Sequence, residues 1–330
     1  MEDLLSEAGQ DGVGRITLNR PRALNALTLP MLHEFARCLD TWEADDGIRH
    51  VLIRGAGERG LCAGGDIRAL CEAVKVGSDL PERFFRAEYT LNARLARYPK
   101  PVTAIMDGLT MGGGIGIAGH VAQRVVTERS QLAMPETAIG FVTDVGGTYL
   151  LSRAPGELGT HLGLTGARMN ARDAIECGFA DLFVPLANLN DACAAPDRLA
   201  DFATTPPSGT LTAQRGWIDR CYRYDRVEEI LTALDEAPEH AAHEAASTIR
   251  RMSPTSLKVV LRALRTAPGL GGLEPCLEME CGIARALMRP DSDFVEGVRA
   301  ALIDKDRSPR WNPPTLDAVG EAVVAAYFKG

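Results

Sequence analysis

Apolar and polar residues alternate over Arg15-Ile16-Thr17-Leu18-Asn19, the period-two pattern of a half-buried strand. Met31, Leu32, Phe35, Leu39 and Trp42 then recur at helical spacing, which predicts an amphipathic helix opened by Thr28 or Pro30 and ended by Asp45-Asp46-Gly47. His50-Val51-Leu52-Ile53-Arg54-Gly55 reads as a short strand entering a glycine-rich loop. Residues 81–98 return to the helical period until Pro99-Lys100-Pro101 stops it, since a residue before proline is pushed out of the helical region. Val102-Thr103-Ala104-Ile105-Met106 is a buried strand running towards Met111-Gly112-Gly113-Gly114, followed by a short helix and the strand Arg124-Val125-Val126-Thr127. Strands and helices taking turns imply an α/β core. Near residue 186 the pattern changes, and from about 200 it is mostly helical: 227–236, 238–252, 254–266, 275–288 and 292–304. Thr204-Thr205-Pro206-Pro207-Ser208-Gly209 has linker composition. The expected organisation is a core over 1–200 and a helical region over 201–330 that completes the site and makes oligomer contacts.

Composition narrows the function. In 330 residues, 45% are apolar, enough for a sizeable core. A net charge of −8 argues against nucleic acid or an anionic membrane surface as the main partner. A local basic patch for a phosphorylated ligand stays open. The start, MEDLLSEAGQ, is acidic and lacks the apolar stretch of a signal peptide, and no apolar run is long enough to span a bilayer. Cysteines 38, 62, 71, 177, 193, 221, 276 and 281 are scattered without CxxC pairs, so they read as reduced, mostly core residues of a cytoplasmic protein.

Three glycine-bearing stretches carry the candidate chemistry. Leu61-Cys62-Ala63-Gly64-Gly65-Asp66-Ile67-Arg68 follows a strand and opens a helix. Adjacent glycines let backbone approach a ligand and leave N–H groups uncovered, although an ordinary strand-to-helix turn fits the same residues. Met111 to Gly119 places three successive glycines after a buried strand, as at a helix N-terminus whose free N–H groups face a ligand oxygen. One N–H from each stretch, converging, would stabilise an oxyanion, each donor being worth about 3 kcal/mol of barrier. A glycine-rich helix start packed close to a strand is the plainer alternative. This stretch also contains Gly114-x-Gly116-x-x-Gly119, a dinucleotide-binding pattern. That pattern needs an acid about 20 positions on, at the end of the next strand; Glu128 comes only nine residues after Gly119.

The third stretch, Met134 to Gly147, sets Glu136 and Asp144 eight residues apart in apolar surroundings. Desolvation raises the pKa of such carboxylates and suits acid–base work. Taken singly, Glu136 also reads as a helix cap and Asp144 as an N-cap. Other candidates are weaker. His240 and His243 lie in surface-helix composition, so no metal is expected there. Cys62 as a nucleophile lacks a nearby His, and Asp304-Lys305-Asp306-Arg307 reads as a solvated charge cluster.

Together these stretches resemble the crotonase (enoyl-CoA hydratase/isomerase) superfamily. The resemblance is carried by Asn19-Arg20-Pro21-Arg22-Ala23-Leu24-Asn25-Ala26-Leu27, Cys62-Ala63-Gly64-Gly65-Asp66-Ile67, Met111-Gly112-Gly113-Gly114 and Pro135-Glu136-Thr137. It implies a spiral of ββα turns with a helical C-terminal region and an acyl-CoA ligand. It also implies an oxyanion hole on the N–H groups of Gly65 and Gly113. Ala23, Ala63, Gly65, Asp66, Ile67 and Arg68 would face the CoA moiety. Hydratases of the superfamily carry a second glutamate where this chain has Gly116, which disfavours hydration; simple isomerases, with one acid near position 144, remain the enzymatic alternative. Within the superfamily the chain is most similar to the 3-hydroxyisobutyryl-CoA hydrolases. Phe84-Phe85-Arg86-Ala87-Glu88-Tyr89, Glu136 with Asp144, Ser253-Pro254-Thr255-Ser256-Leu257-Lys258 and the run Asp293 to Pro309 carry that likeness. It implies that Glu88, Gly113, Glu136 and Asp144 line the substrate site. Val142-Thr143 replaces the Phe-Pro that usually precedes the final acid, which bears on acyl preference.

The resemblance implies thioester hydrolysis of valine-breakdown type, with Glu136 as nucleophile or base, Asp144 managing the proton and Glu88 binding the substrate hydroxyl. No cofactor besides the substrate's own CoA is expected. A homo-oligomer, trimer or dimer of trimers, is implied. A non-catalytic acyl-CoA binding protein and a dehydrogenase using the dinucleotide pattern of residues 114–119 are the readings of other classes.

Overall fold

A computed structural model describes residues 2–329, in two compact units. The first takes residues up to Gly65, Ala87–Ala133 and Arg168–Thr210; the second takes Asp66–Arg86, Met134–Ala167 and Leu211 onwards.

The first unit holds nine strands in two sheets. The larger sheet runs β1 (Leu4–Ala8), β2 (Val13–Leu18), β3 (His50–Gly55), β5 (Val102–Ile105), β7 (Gln123–Val126) and β9 (Leu182–Phe183). Its pairs are parallel except the β1–β2 hairpin. The smaller sheet is β4 (Gly60–Cys62), β6 (Leu109–Met111) and β8 (Gln131–Ala133), all parallel. The chain gives one strand to each sheet in turn, β3 then β4, β5 then β6, β7 then β8, which is the expected ββα spiral. Parallel strands covered on both faces are buried at successive positions, as β3 is from His50 to Ile53 and β5 throughout. Val13, Leu52, Ile105, Val125, Val184, Ala192 and Leu199 form one buried cluster of this unit. The helix Leu29–Glu43 is capped by Thr28, whose hydroxyl accepts from Met31 N, and buries the predicted face from Met31 to Trp42. Gly14 leaves room for Trp42, whose ring lies where a Cβ would stand.

The second unit is helical. Helices Val227–Asp235, His240–Ile249, Pro254–Thr266 and Leu273–Leu287 fall where the periodicity puts them. The helix expected over 292–304 is an α-helix only over Asp293–Val298; Arg299–Ile303 continues as a π turn, closed by Asp304 N donating to Arg299 O at 2.8 Å. The charge cluster Asp304-Lys305-Asp306-Arg307 is exposed at all four positions, as expected of a solvated one, and Arg299 gathers two of its acids, pairing with Glu296, Asp304 and Asp306. Among the described residues no helix is long and apolar enough to cross a membrane.

Candidate active site

In the first unit, the stretch before the first helix splints the glycine loop. Ala63 N donates to Leu24 O at 3.0 Å and Leu27 N to Gly64 O at 2.9 Å. Leu24 and Asn25 take left-handed backbone (φ 53 and 56), a cost borne where surrounding structure over-determines it. Asn25 is the fixing point. Its amide donates to Ala56 O at 3.1 Å and Gly60 O at 3.0 Å, and its Oδ1 accepts from Arg20 N at 3.0 Å. Gly64 has φ +104, which only glycine tolerates well.

Gly112, with φ 49, then starts the helix Gly113–Ala118. Gly113 N is among the first N–H groups of that helix and has no intrahelical acceptor. Among the described residues, neither Gly65 N nor Gly113 N donates a hydrogen bond. A Cβ on Gly113 would stand 3.4 Å from Gly65 N and would overlap Glu88 Oε1. Gly65, Gly113 and Glu88 are therefore neighbours. Glu88 projects from the helix Leu80–Ala96 and is buried. The glycine pattern of residues 114–119 runs through the six-residue helix Gly113–Ala118 to its C-cap Gly119, and does not form the turn before a helix. That removes the geometry a dinucleotide needs.

The second unit holds the acids. Glu136 is the first residue of a 3-10 turn, Glu136–Ile139, and is 6% exposed; Asp144 is 4% exposed. Glu136 Oε2 meets no hydrogen-bond partner among the described residues. Burial holds the Glu136 carboxyl well above the usual range, and the charges of Asp144 and then Glu280 add to that. Phe141 stacks on Phe85 and tilts against Phe294, ring centres 5.5 Å apart in each pair, as an apolar wall of this unit. Thr143 is buried and its hydroxyl has no partner among the described residues.

The tail motifs support the Glu136 turn. Gly140 (φ +69) and Gly297 let Ile139-Gly140 meet Asp293 and the helix Asp293–Val298 backbone to backbone. Ser253 Oγ donates to Asp293 Oδ2 at 2.6 Å, and Ser253 N donates to Thr137 O at 3.2 Å.

Of the residues expected at CoA, Ala23, Ala63 and Gly65 belong to the first unit and Asp66, Ile67 and Arg68 to the second. Asp66 caps the helix Ile67–Lys75, and Arg68 donates to Leu302 O at 2.6 Å. Cys62 is buried and its thiol is pushed up to about 12 by burial, which leaves no thiolate for attack. All eight cysteines are free.

Sequence reasoning passed over Glu280. It is fully buried on the helix Leu273–Leu287 and accepts from Gly146 N at 2.7 Å, from Thr148 N at 3.0 Å and from the Thr148 hydroxyl. A signal was present: Cys276, Leu277, Ile283, Ala284 and Leu287 form the buried stripe, and Glu280 stands within it at helical spacing.

Comparison with known proteins agrees with this architecture. The enoyl-CoA hydratase/isomerase family model matches residues 13–328. The 3-hydroxyisobutyryl-CoA hydrolase of Danio rerio is 41% identical, with 99% of this chain and 89% of that protein covered. The human protein of the same name is 42% identical, with 99% and 88% covered. A solved carnitinyl-CoA dehydratase from Mycobacterium thermoresistibile has a TM-score of 0.95 at 47% identity, covering 99% of this chain and 96% of its own. An enoyl-CoA hydratase from Rhodobacter sphaeroides has a TM-score of 0.93 at 43% identity, covering 99% and 97%. Matched over nearly its whole length, the chain belongs to the enoyl-CoA hydratase/isomerase family.

Proposed function

We propose that this protein hydrolyses a short 3-hydroxyacyl-CoA thioester, of the 3-hydroxyisobutyryl-CoA kind, to the free acid and CoA. The observation that carries the reading is the buried acid pair Glu136 and Asp144, with a proton-retaining carboxyl, in a chain whose Gly65 and Gly113 N–H groups are unused. Relatives at 41% and 42% identity bear the hydrolase name over nearly the whole chain.

In the proposed step, the Gly65 and Gly113 N–H groups polarise the thioester carbonyl. Glu136, in its ionised fraction, takes a proton from water while the hydroxide adds to that carbon. The tetrahedral oxyanion collapses, the C–S bond breaks, and the departing thiolate takes the proton back. Asp144 orients the water or the acyl hydroxyl, and Glu88 binds the 3-hydroxyl. Direct attack by Glu136, giving an anhydride that water then opens, balances equally. Single turnover in ¹⁸O-water identifies an anhydride opened at the Glu136 carbonyl, the one course that leaves label in Glu136. Ala23, Ala63, Gly65, Asp66, Ile67 and Arg68 hold the CoA moiety, and the scheme needs no other cofactor. A role in valine breakdown, a homo-oligomeric state and a reducing compartment such as the cytoplasm, which suits eight free cysteines, complete the proposal.

A second reading, double-bond hydration or dehydration, takes support from the names of the two solved relatives. Against it, the position where hydratases bear a second glutamate is Gly116, inside a fully buried helix. Purified protein given 3-hydroxyisobutyryl-CoA and a thiol reagent should release CoA. Hydration of crotonyl-CoA with no CoA release would overturn the proposal.

A further inference from the structure

A carboxylate on the apolar stripe of a helix is costly unless its charge is met. Glu280 is met by three donors, and all three come from the segment that follows Asp144. Asp144 to Gly147 is a tight turn closed by Gly147 N donating to Asp144 O at 2.7 Å. Both central residues are left-handed, Val145 at φ 54 and Gly146 at φ 77, as in a type I′ turn. A β-branched residue there is strained and stays only where other contacts hold it. The bond from Gly146 N to Glu280 Oε2 holds one end of this strained pair. The bonds from Thr148 hold the start of the helix Gly147–Leu151. A leucine at position 280 would fill the stripe but hold nothing.

We propose that Glu280 is a positioning residue for the hydrolysis: it clamps the left-handed turn behind Asp144 and so fixes that carboxylate for work with Glu136. This rests on the reading of Glu136 and Asp144 as the reacting acids. The clamp also sets a third carboxyl facing the pair. Opposing pressures act on Glu280 itself: burial pushes its carboxyl up to about 8, against the pull of its three donors. The titratable groups around it are Asp144, Glu136 and, one turn back on its own helix, Cys276. Gly147–Leu151 contributes Thr148 and Tyr149, with Arg153 stacked over the Tyr149 ring at 3.6 Å. The turn Ala267–Leu270 contributes no titratable group.

Glu280→Gln keeps the size but turns an amide N–H2 towards one of the backbone donors. Its kcat for CoA release should fall about 10- to 100-fold, as for a small misplacement of a reacting group, with KM within about threefold. Glu280→Asp keeps the acceptor oxygens but is one methylene short, so kcat should fall there too while KM holds. Unchanged kcat in Glu280→Gln overturns the proposal. So does a loss of kcat that follows Tm alone and recovers on cooling, or one matched by an equal change in KM. If Glu280→Gln does not fold, Thr148→Val carries the test: kcat severalfold lower at constant KM supports the clamp, and no change refutes it. Glu136→Gln is assayed alongside. CoA release by that variant would refute the acid-pair reading itself, whereas a silent Glu136→Gln beside a native-like Glu280→Gln refutes only the clamp.

Discussion

Adding a single methyl group at Gly113 tests the proposed backbone oxyanion device together with the Glu88 carboxyl beside it. The Cβ of Gly113→Ala would sit 3.4 Å from Gly65 N and 3.3 Å from Leu27 Cδ1, and would overlap Glu88 Oε1. An oxygen bonded to Gly65 N would stand about 2.9 Å from it, so methyl and oxyanion compete for one space. Each lost donor costs roughly 100- to 1000-fold. With both donors obstructed and Glu88 displaced, kcat/KM should fall at least about 1000-fold, or about 4 kcal/mol of transition-state stabilisation. The fold should hold, because Gly113 lies in a helical first turn outside the left-handed region and alanine is the better helix former by about 1 kcal/mol. CoA release is followed with a thiol reagent and folding by thermal unfolding. Gly114→Ala is the contrasting control: its Cβ would run into the Cys62 carbonyl, so it should lower Tm. A folded Gly113→Ala protein within tenfold of the parent activity would refute the oxyanion assignment.

Glu136→Gln should abolish CoA release and also stabilise the fold at neutral pH. The folded carboxyl holds its proton more tightly than the unfolded one, so stability is full below the unfolded pKa of about 4.3 and is lost as pH rises. The amide removes that loss, and its Tm advantage should grow from pH 5 to pH 8; an advantage that does not grow refutes the assigned shift. His161 is buried with Nδ1 2.9 Å from the Tyr222 hydroxyl, and burial lowers its pKa to about 4. The unfolded imidazole binds a proton near 6.5, so stability present above that value is lost as pH falls towards 4, by about 3 kcal/mol. His161→Gln should flatten urea-derived stability across that window, and an unchanged slope would contradict the shift. Cys62→Ala should keep CoA release within about threefold, and native Cys62 should resist alkylation at pH 8; a 100-fold loss would return the thiol to the mechanism.

The parts of the fold legible in sequence are those where one physical effect dominates. β3 and β5 are short, mostly apolar, buried runs between breakers, and the C-terminal helices repeat their buried residues at 3.6 spacing. The strands of the smaller sheet are three residues each, too short to show any period. β1 was missed because four of its five residues are exposed, as suits an edge strand. The helix Leu211–Tyr222 is hard to see for another reason: its buried stripe, Trp217, Ile218, Cys221 and Tyr222, is confined to its second half, and Gln214-Arg215-Gly216 precedes it. The helix Gly113–Ala118 runs against propensity, with glycine at 113, 114 and 116; close packing demands it, since a Cβ on Gly114 would strike Cys62. The acids and glycines of the candidate site announce themselves by local composition. Glu280 does not, because its partners lie more than 130 residues away in sequence.

A polarising group made from main chain, as proposed for Gly65 and Gly113, has no side chain to lose. Every residue but proline keeps its N–H, and a methyl added at Gly113 crowds the approach to Gly65 N without removing either donor. Alanine scanning therefore cannot delete such a device; it can only obstruct it. Evolution faces the same asymmetry. Carboxylates may be gained, moved or retired one substitution at a time while carbonyl activation persists, so reaction type can drift on an unchanged electrophile-binding frame. Relatives named as hydrolase, dehydratase and hydratase at 41–47% identity fit such a history.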